Sequence, residues 1–198
     1  RDYNITTEVS MRIITMVSEI FDTPSTEIDI VSCNPRIIYA LCGLDLPVGF
    51  YGKDKKNKKN INKVLNQISK YHPIGLKYDV SEYKRNKKRE LKKYGFNEKV
   101  ISFLFKEFWD KPKDSLFNMC AYHEKLIIEK VTSELKDIKD EFTAIAYESI
   151  GSASPDYDNN ISFIRRHDSV IIVGHYDEFY RKQVTDDFSY LGFKNWFK

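Results

Sequence analysis

The feature that most narrows the fold of this 198-residue chain is the apolar run Val170–Val173, which follows the segment 161–166 (ISFIRR) and the polar triplet His167-Asp168-Ser169. Two short apolar segments around a polar bend predict a β-hairpin, with His167 and Asp168 at the bend. Far upstream, residues 26–31 (TEIDIV) read as a second short buried strand, with Asp29 at the switch from strand to helix. The strand signals are few and short, and most of the remaining periodicity is helical.

Val9, Ile13, Met16, Val17 and Ile20 predict a helix over 6–21, broken by Asp22-Thr23-Pro24-Ser25. Pro35 in a first turn and Gly43 at the end bound a helix over 35–43. The Lys/Asn stretch 53–60 reads as an exposed loop before a helix over about 60–71, and 79–93 as a strongly basic helix closed by Tyr94-Gly95. A helix over 97–109 carries Val100, Leu104 and Phe108 on one face, and Pro112 interrupts. A long helix over 114–139 points Leu116, Cys120, Ile127, Val131 and Leu135 inward. Residues 142–150 read as a strand, 151–160 as turn chemistry, and about 176–188 as a last helix.

Composition bounds the function classes. The apolar fraction is 41%, the charged fraction 31% and the aromatic fraction 14%, the profile of a folded chain rather than a disordered one. Net charge is only +3, but it is unevenly spread: Lys-rich blocks at 53–63 and 84–93 offer a basic stripe that attracts polyanions, and acidic residues gather toward 134–158. Three cysteines without a CxxC pair favour a reducing, intracellular compartment over secretion. No apolar run approaches the roughly 18–20 residues that span a bilayer, so no membrane partner is expected. His72, His123 and His175 lack metal-ligand spacing, and neither a hydrolase elbow nor a P-loop occurs. Opening at Arg1 without Met, the chain reads as a piece of a larger protein.

Phosphoryl transfer to a growing strand uses two metal ions about 3.5–4 Å apart. Magnesium takes only one or two protein carboxylates beside substrate phosphates. Two aspartates on rigid strands therefore suffice, and Asp29 and Asp168 have that placement. The competing reading is that each is an ordinary cap or turn residue.

Around these aspartates the sequence resembles the C-terminal polymerase region of family A DNA polymerases, the relatives of bacterial polymerase I. The stretch from Asp29 through Arg36 and Leu41 to Gly43 is similar to that family's first catalytic motif, and Arg166-His167-Asp168-Ser169 to its His-Asp-Glu hairpin. Gly192-Phe193-Lys194-Asn195-Trp196 resembles its C-terminal segment, and Asn118 its long-helix asparagine. The resemblance implies an α/β (α+β) fold: a palm-like antiparallel sheet packed by helices, formed by 1–52 and 113–198, with a helical fingers-like subdomain at 53–112. It further implies Mg²⁺ held by Asp29 and Asp168, and triphosphate oxygens paired with Arg85, Lys88 and Arg89. Tyr94 would stack on the incoming base, while Arg36, Asn118 and His167 would contact primer and template. The implied partners are primer-template DNA, a nucleoside triphosphate, and the rest of a larger polymerase or replication proteins.

The sequence departs from that pattern at Asn34 and Ser169, where the family carries Glu, and at Tyr122, where it carries Gln. Ser32-Cys33-Asn34 and His167-Asp168-Ser169 also resemble motifs of single-subunit RNA polymerases, whose two aspartates lie further apart than the pair here. A non-catalytic nucleic-acid-binding module and a protein-interaction domain are the readings from other classes.

Overall fold

The computed structural model describes residues 24–52, 55–70, 80–109, 115–150, 161–165, 169–174 and 177–198, and the fold is that of these residues. The expectations for 6–21, Pro112, 151–160, His72, His175, His167 and Asp168 lie outside them. The described chain is α+β: helices with one three-stranded antiparallel sheet. In chain order the elements are β1 (Ser25–Asp29), α1 (Cys33–Leu41), α2 (Lys55–Lys70), α3 (Val80–Lys93), α4 (Glu98–Glu107), α5 (Ser115–Ile150), β2 (Ser162–Arg165), β3 (Ser169–Val173) and α6 (Asp177–Asp187). They group into two compact units. One comprises Arg1–Val31, Lys125–Tyr190 and Lys194–Lys198; the other comprises Ser32–Glu124 and Leu191–Phe193.

In the first unit the sheet order is β1-β3-β2. β3 is the centre because its residues are buried on both faces: Val170, Ile171 and Ile172 are at most 1% exposed. Such a run satisfies its backbone only with a strand on each side. β2 supplies one, as the hairpin reading expects, pairing Arg165 with Val170 and Ser162 with Val173. β1 supplies the other, pairing Ile28 with Val170 and Asp29 with Ser169. Beyond β1 the last residues of the chain add a short antiparallel bridge, Ile30 to Phe197. Lys198 N–H donates to the Asp29 carbonyl at 3.2 Å, and Val31 N–H donates to the Trp196 carbonyl at 2.7 Å. Trp196, 1% exposed, anchors that tail, with Tyr190 edge-on to it at 5.5 Å. α6 packs on the sheet: Thr26 Oγ1 of β1 donates to Asp177 Oδ2 at 2.8 Å, and the rings of Phe163 in β2 and Tyr180 meet at 5.8 Å.

The second unit is helical. Its core joins Ile38, Tyr39 and Leu46 with Ile61, Val64, Leu65 and Ile68 of α2, Leu91 of α3, and Val100, Ile101, Leu104 and Phe105 of α4. Buried Tyr39 ties the α3–α4 turn: its hydroxyl accepts from Asn97 N–H at 3.0 Å and donates to the Gly95 carbonyl at 3.4 Å. Two helices end alike. Gly43 after α1 and Gly95 after α3 have φ of 66° and 80°, and the residues following them, Leu44 and Phe96, return N–H bonds to Tyr39 and Leu91. This is the Schellman closure, which favours glycine because a Cβ resists the left-handed conformation.

Two local expectations are corrected. Residues 55–60 are the first turns of α2 rather than a loop, because lysine is a good helix former and the stripe Ile61, Val64, Leu65, Ile68 supplies the burial that holds the helix. Residues 142–150 continue α5 instead of forming a strand. Extending a helix already nucleated adds a hydrogen bond per residue, which outweighs the weak β preference of that segment.

Because no described atom lies within 4 Å of a Cβ built on Gly95, substitution there tests backbone conformation alone. Gly95→Ala should lower stability by about 1–2 kcal/mol. Gly95→Asn should lower it by less, since Asn visits the left-handed region more readily, as read from urea unfolding midpoints.

Candidate catalytic site

Side chains alternate along a strand, so Ser25, Glu27 and Asp29 share one face of β1, while Thr26 and Ile28 take the other. Ile28 is fully buried, which fixes which face is which. Cross-strand partners point the same way, so Ser169 joins the Glu27/Asp29 face opposite Asp29. Ser169 is 1% exposed, and its Oγ donates to Glu27 Oε1 at 2.5 Å. Asp29 is half-buried, and its backbone is held between Ser169 on one side and Lys198 on the other. Asp168 and His167 precede Ser169 in the chain and lie outside the described residues. Among the described residues no three His, Cys, Asp or Glu side chains converge as a metal cage.

α3 divides its cations between two environments. Arg85, Arg89 and Lys92 are exposed at helical spacing and form one face. Lys84, Lys87 and Lys88 lie against neighbouring side chains. Lys88 Nζ sits 5.2 Å from the Phe105 ring centroid, Lys84 Nζ sits 5.6 Å from that of Trp109, and Lys87 Nζ donates to Gln67 Oε1 and Glu90 Oε2, both at 2.7 Å. Lys88 thus belongs to the packed set, and Arg89 shares the solvent face with Arg85. Tyr94 directly follows α3 and is half-buried against the core of its unit.

Arg36 is half-buried on α1; burial pushes its pKa down while Asp45 opposes that shift. Asn118 and Tyr122 are exposed one turn apart near the start of α5. Asn34 lines a small hollow of about 20 Å³, open to solvent, with Ile38, Asn62, Leu65, Asn66, Leu116, Phe117 and Cys120. Close by is a polar group that the sequence did not single out. Cys33 Sγ donates to the buried Glu124 Oε2 at 3.4 Å, and Tyr51 Oη donates to Asn62 Oδ1 at 3.2 Å. Burial, and then Glu124, raise the Cys120 thiol to about 12; burial, and then the thiols of Cys33 and Cys120, raise Tyr51.

Glu27 is the acidic residue that sequence reasoning missed at the strand site. Its signal was the alternation Glu27-Ile28-Asp29, which places two carboxylates on one face whenever Ile28 is core. Charge is also strongly segregated: residues 32–124 hold 20 Lys and Arg against 10 Asp and Glu, whereas the whole chain holds 32 against 29. The unit with the carboxylate strand is therefore net acidic and the helical unit net basic.

No family model, curated protein or solved structure matches this chain. Among the described residues, no helix is long and apolar enough to cross a membrane.

The raised Cys120 thiol has a consequence for stability. Below its ordinary value of 9.0 both folded and unfolded chains keep the proton. Above it the unfolded chain ionises first, so this contribution is full below pH 9.0 and is lost as pH rises toward about 12. The urea midpoint of the protein should fall across that window more steeply than that of Cys120→Ala.

Proposed function

We propose that the chain carries the catalytic core of a template-directed nucleotidyl transferase of the family A DNA polymerase type, with a palm-like sheet presenting Asp29 and Asp168. The single observation that supports this most is the register of β1 on β3. Asp29 stands opposite Ser169, and Ser169 is the residue next to Asp168 in the chain. Asp29 thus pairs with the residue that follows Asp168, itself 139 positions beyond Asp29 in the chain, and two aspartates brought close together are the arrangement that magnesium shared with substrate phosphates calls for.

The donor set fits magnesium: Asp29 supplies a hard oxygen ligand at a half-exposed strand end, and Glu27 brings a second carboxylate to the same face. Magnesium bound there would acidify the attacking 3′-hydroxyl and steady the pyrophosphate. The chain's own residues do the positioning. The Lys198 pairing fixes the Asp29 backbone, and Ser169 orients Glu27. Arg85 and Arg89 present guanidinium groups to solvent on one helix face, suited to bidentate pairing with phosphate oxygens. Arg36, Asn118 and His167 are assigned to primer and template, and Tyr94 to the incoming base. Partners on this reading are primer-template DNA, a nucleoside triphosphate and the rest of a larger polymerase.

Primer extension with Mg²⁺ tests the proposal. Asp29→Asn and Asp168→Asn should each lower nucleotide incorporation by about a hundredfold or more, the scale of losing an electrostatic stabiliser of a charged transition state. Binding of labelled primer-template, followed by anisotropy, should stay within about threefold, which is under 1 kcal/mol. Incorporation unaffected by both substitutions would remove the carboxylates from the chemistry.

A further inference from the structure

The lysines of α2 are not used by the reaction proposed above. Lys56, Lys59 and Lys63 are exposed at positions i, i+3 and i+7, so they form one stripe along the helix. α2 contains no acidic residue, so every charge it carries is positive. Lys58 turns aside, its Nζ 5.8 Å from the Tyr51 ring centroid. Seven residues of helix cover about 10 Å. A nucleic-acid strand carries one phosphate per nucleotide, so the stripe spans a short run of phosphates.

The flank of the same helix adds a second, different surface. Asn62 and Asn66, one turn apart, line the solvent-open hollow together with Asn34. Ile38, Leu65 and Leu116 give the hollow an apolar part, and Phe117 contributes an aromatic ring that is 55% exposed. Carboxamides can donate to and accept from the edge of a base, and an exposed ring offers a stacking face. These features suit an unpaired base, whose edges and faces are accessible, better than a stacked and paired one.

We propose that α2 and the surface beside it form a single-stranded nucleic-acid track: Lys56, Lys59 and Lys63 follow the phosphates, and a base stacks on the exposed Phe117 ring, its edge toward Asn34, Asn62 and Asn66 at the rim of the hollow. The helical unit's excess of positive charge draws the strand in, and stacking on Phe117 distinguishes it from other polyanions. The track shares no residue with the two-carboxylate site, so either can fail without the other.

The test is fluorescence anisotropy of the full chain with a labelled oligothymidylate of about twelve nucleotides, a length within the range of single-strand sites, titrated at several salt concentrations. Replacing Lys56, Lys59 and Lys63 by Gln together should weaken binding at least tenfold. It should also make the slope of log affinity against log salt shallower by about 2, at about 0.7 for each phosphate no longer neutralised by a lysine. Phe117→Ala should weaken binding by about tenfold with the slope unchanged, because stacking releases no counterions. Lys99→Gln with Lys106→Gln, exposed on α4, should leave both quantities as they are. Unfolding midpoints of all variants verify that the fold persists. An unchanged slope in the triple variant overturns the proposal. So does equal affinity for duplex of the same length, or displacement of the strand by phosphatidylserine vesicles.

Discussion

The first unit depends on how β3 satisfies its backbone. A strand whose side chains are buried on both faces has no water for its N–H and C=O groups, so a partner on each side is obligatory. The hairpin with β2 meets one side cheaply because it is local. The other side must come from β1, more than a hundred residues away in sequence. The chain closes that long loop because Ile28 and Ile30 are buried there with the valines and isoleucines of β3, at about 1.5–3 kcal/mol for each such side chain. The tail carrying Trp196 then pairs with the far edge of β1, so the strand that holds Asp29 is bonded on both sides at its C-terminal end.

The second unit solves a different problem. It carries a large excess of positive charge and must still fold. Part of the solution is that lysines serve as packing material. Lys84, Lys87 and Lys88 lay their stems along α3 and rest their ammonium groups near Tyr83, Phe105 and Trp109. A long side chain can cover apolar surface while its charge meets an aromatic face. The cations left in solvent then fall on defined helix faces. Arg85 and Arg89 lie on α3, and Lys56, Lys59 and Lys63 on α2.

Much of this was legible in the sequence because the signals were local. The β1 segment, the hairpin, the glycine closures of α1 and α3, and the inward positions Leu116, Cys120, Ile127, Val131 and Leu135 all follow from periodicity and turn chemistry. The start of α2 was not legible, since a Lys/Asn run looks like a loop until a buried stripe downstream holds it. Residues 142–150 misled because helix propagation depends on the preceding turns, not on the segment's own preference. At the candidate site, Asp29 could be read from its place at a strand end. The role of Glu27 needed the face assignment that only Ile28's burial provides. The division of α3 into packed and exposed cations needed the positions of α2 and α4.

The structure also separates residues that local folding explains from those it does not. Tyr94-Gly95 has a complete local account: the pair closes α3, and Gly95 adopts a conformation that disfavours other residues. That account covers the glycine and requires no ligand there. Asp29 is different. The ordinary explanation for an aspartate between a strand and a helix is that it caps the helix, but the N-cap of α1 is Ser32, three residues on. Ser32 itself has φ 52°, an uncommon conformation for a residue with a side chain, and among the described residues it makes no side-chain cap bond. Serine is itself a common N-cap residue, so the helix start falls at position 32 and not at Asp29. The turn instead leaves Asp29 on the same sheet face as Glu27 and Ser169, and it is this choice of face, rather than any motif spelling, that the catalytic reading has to explain.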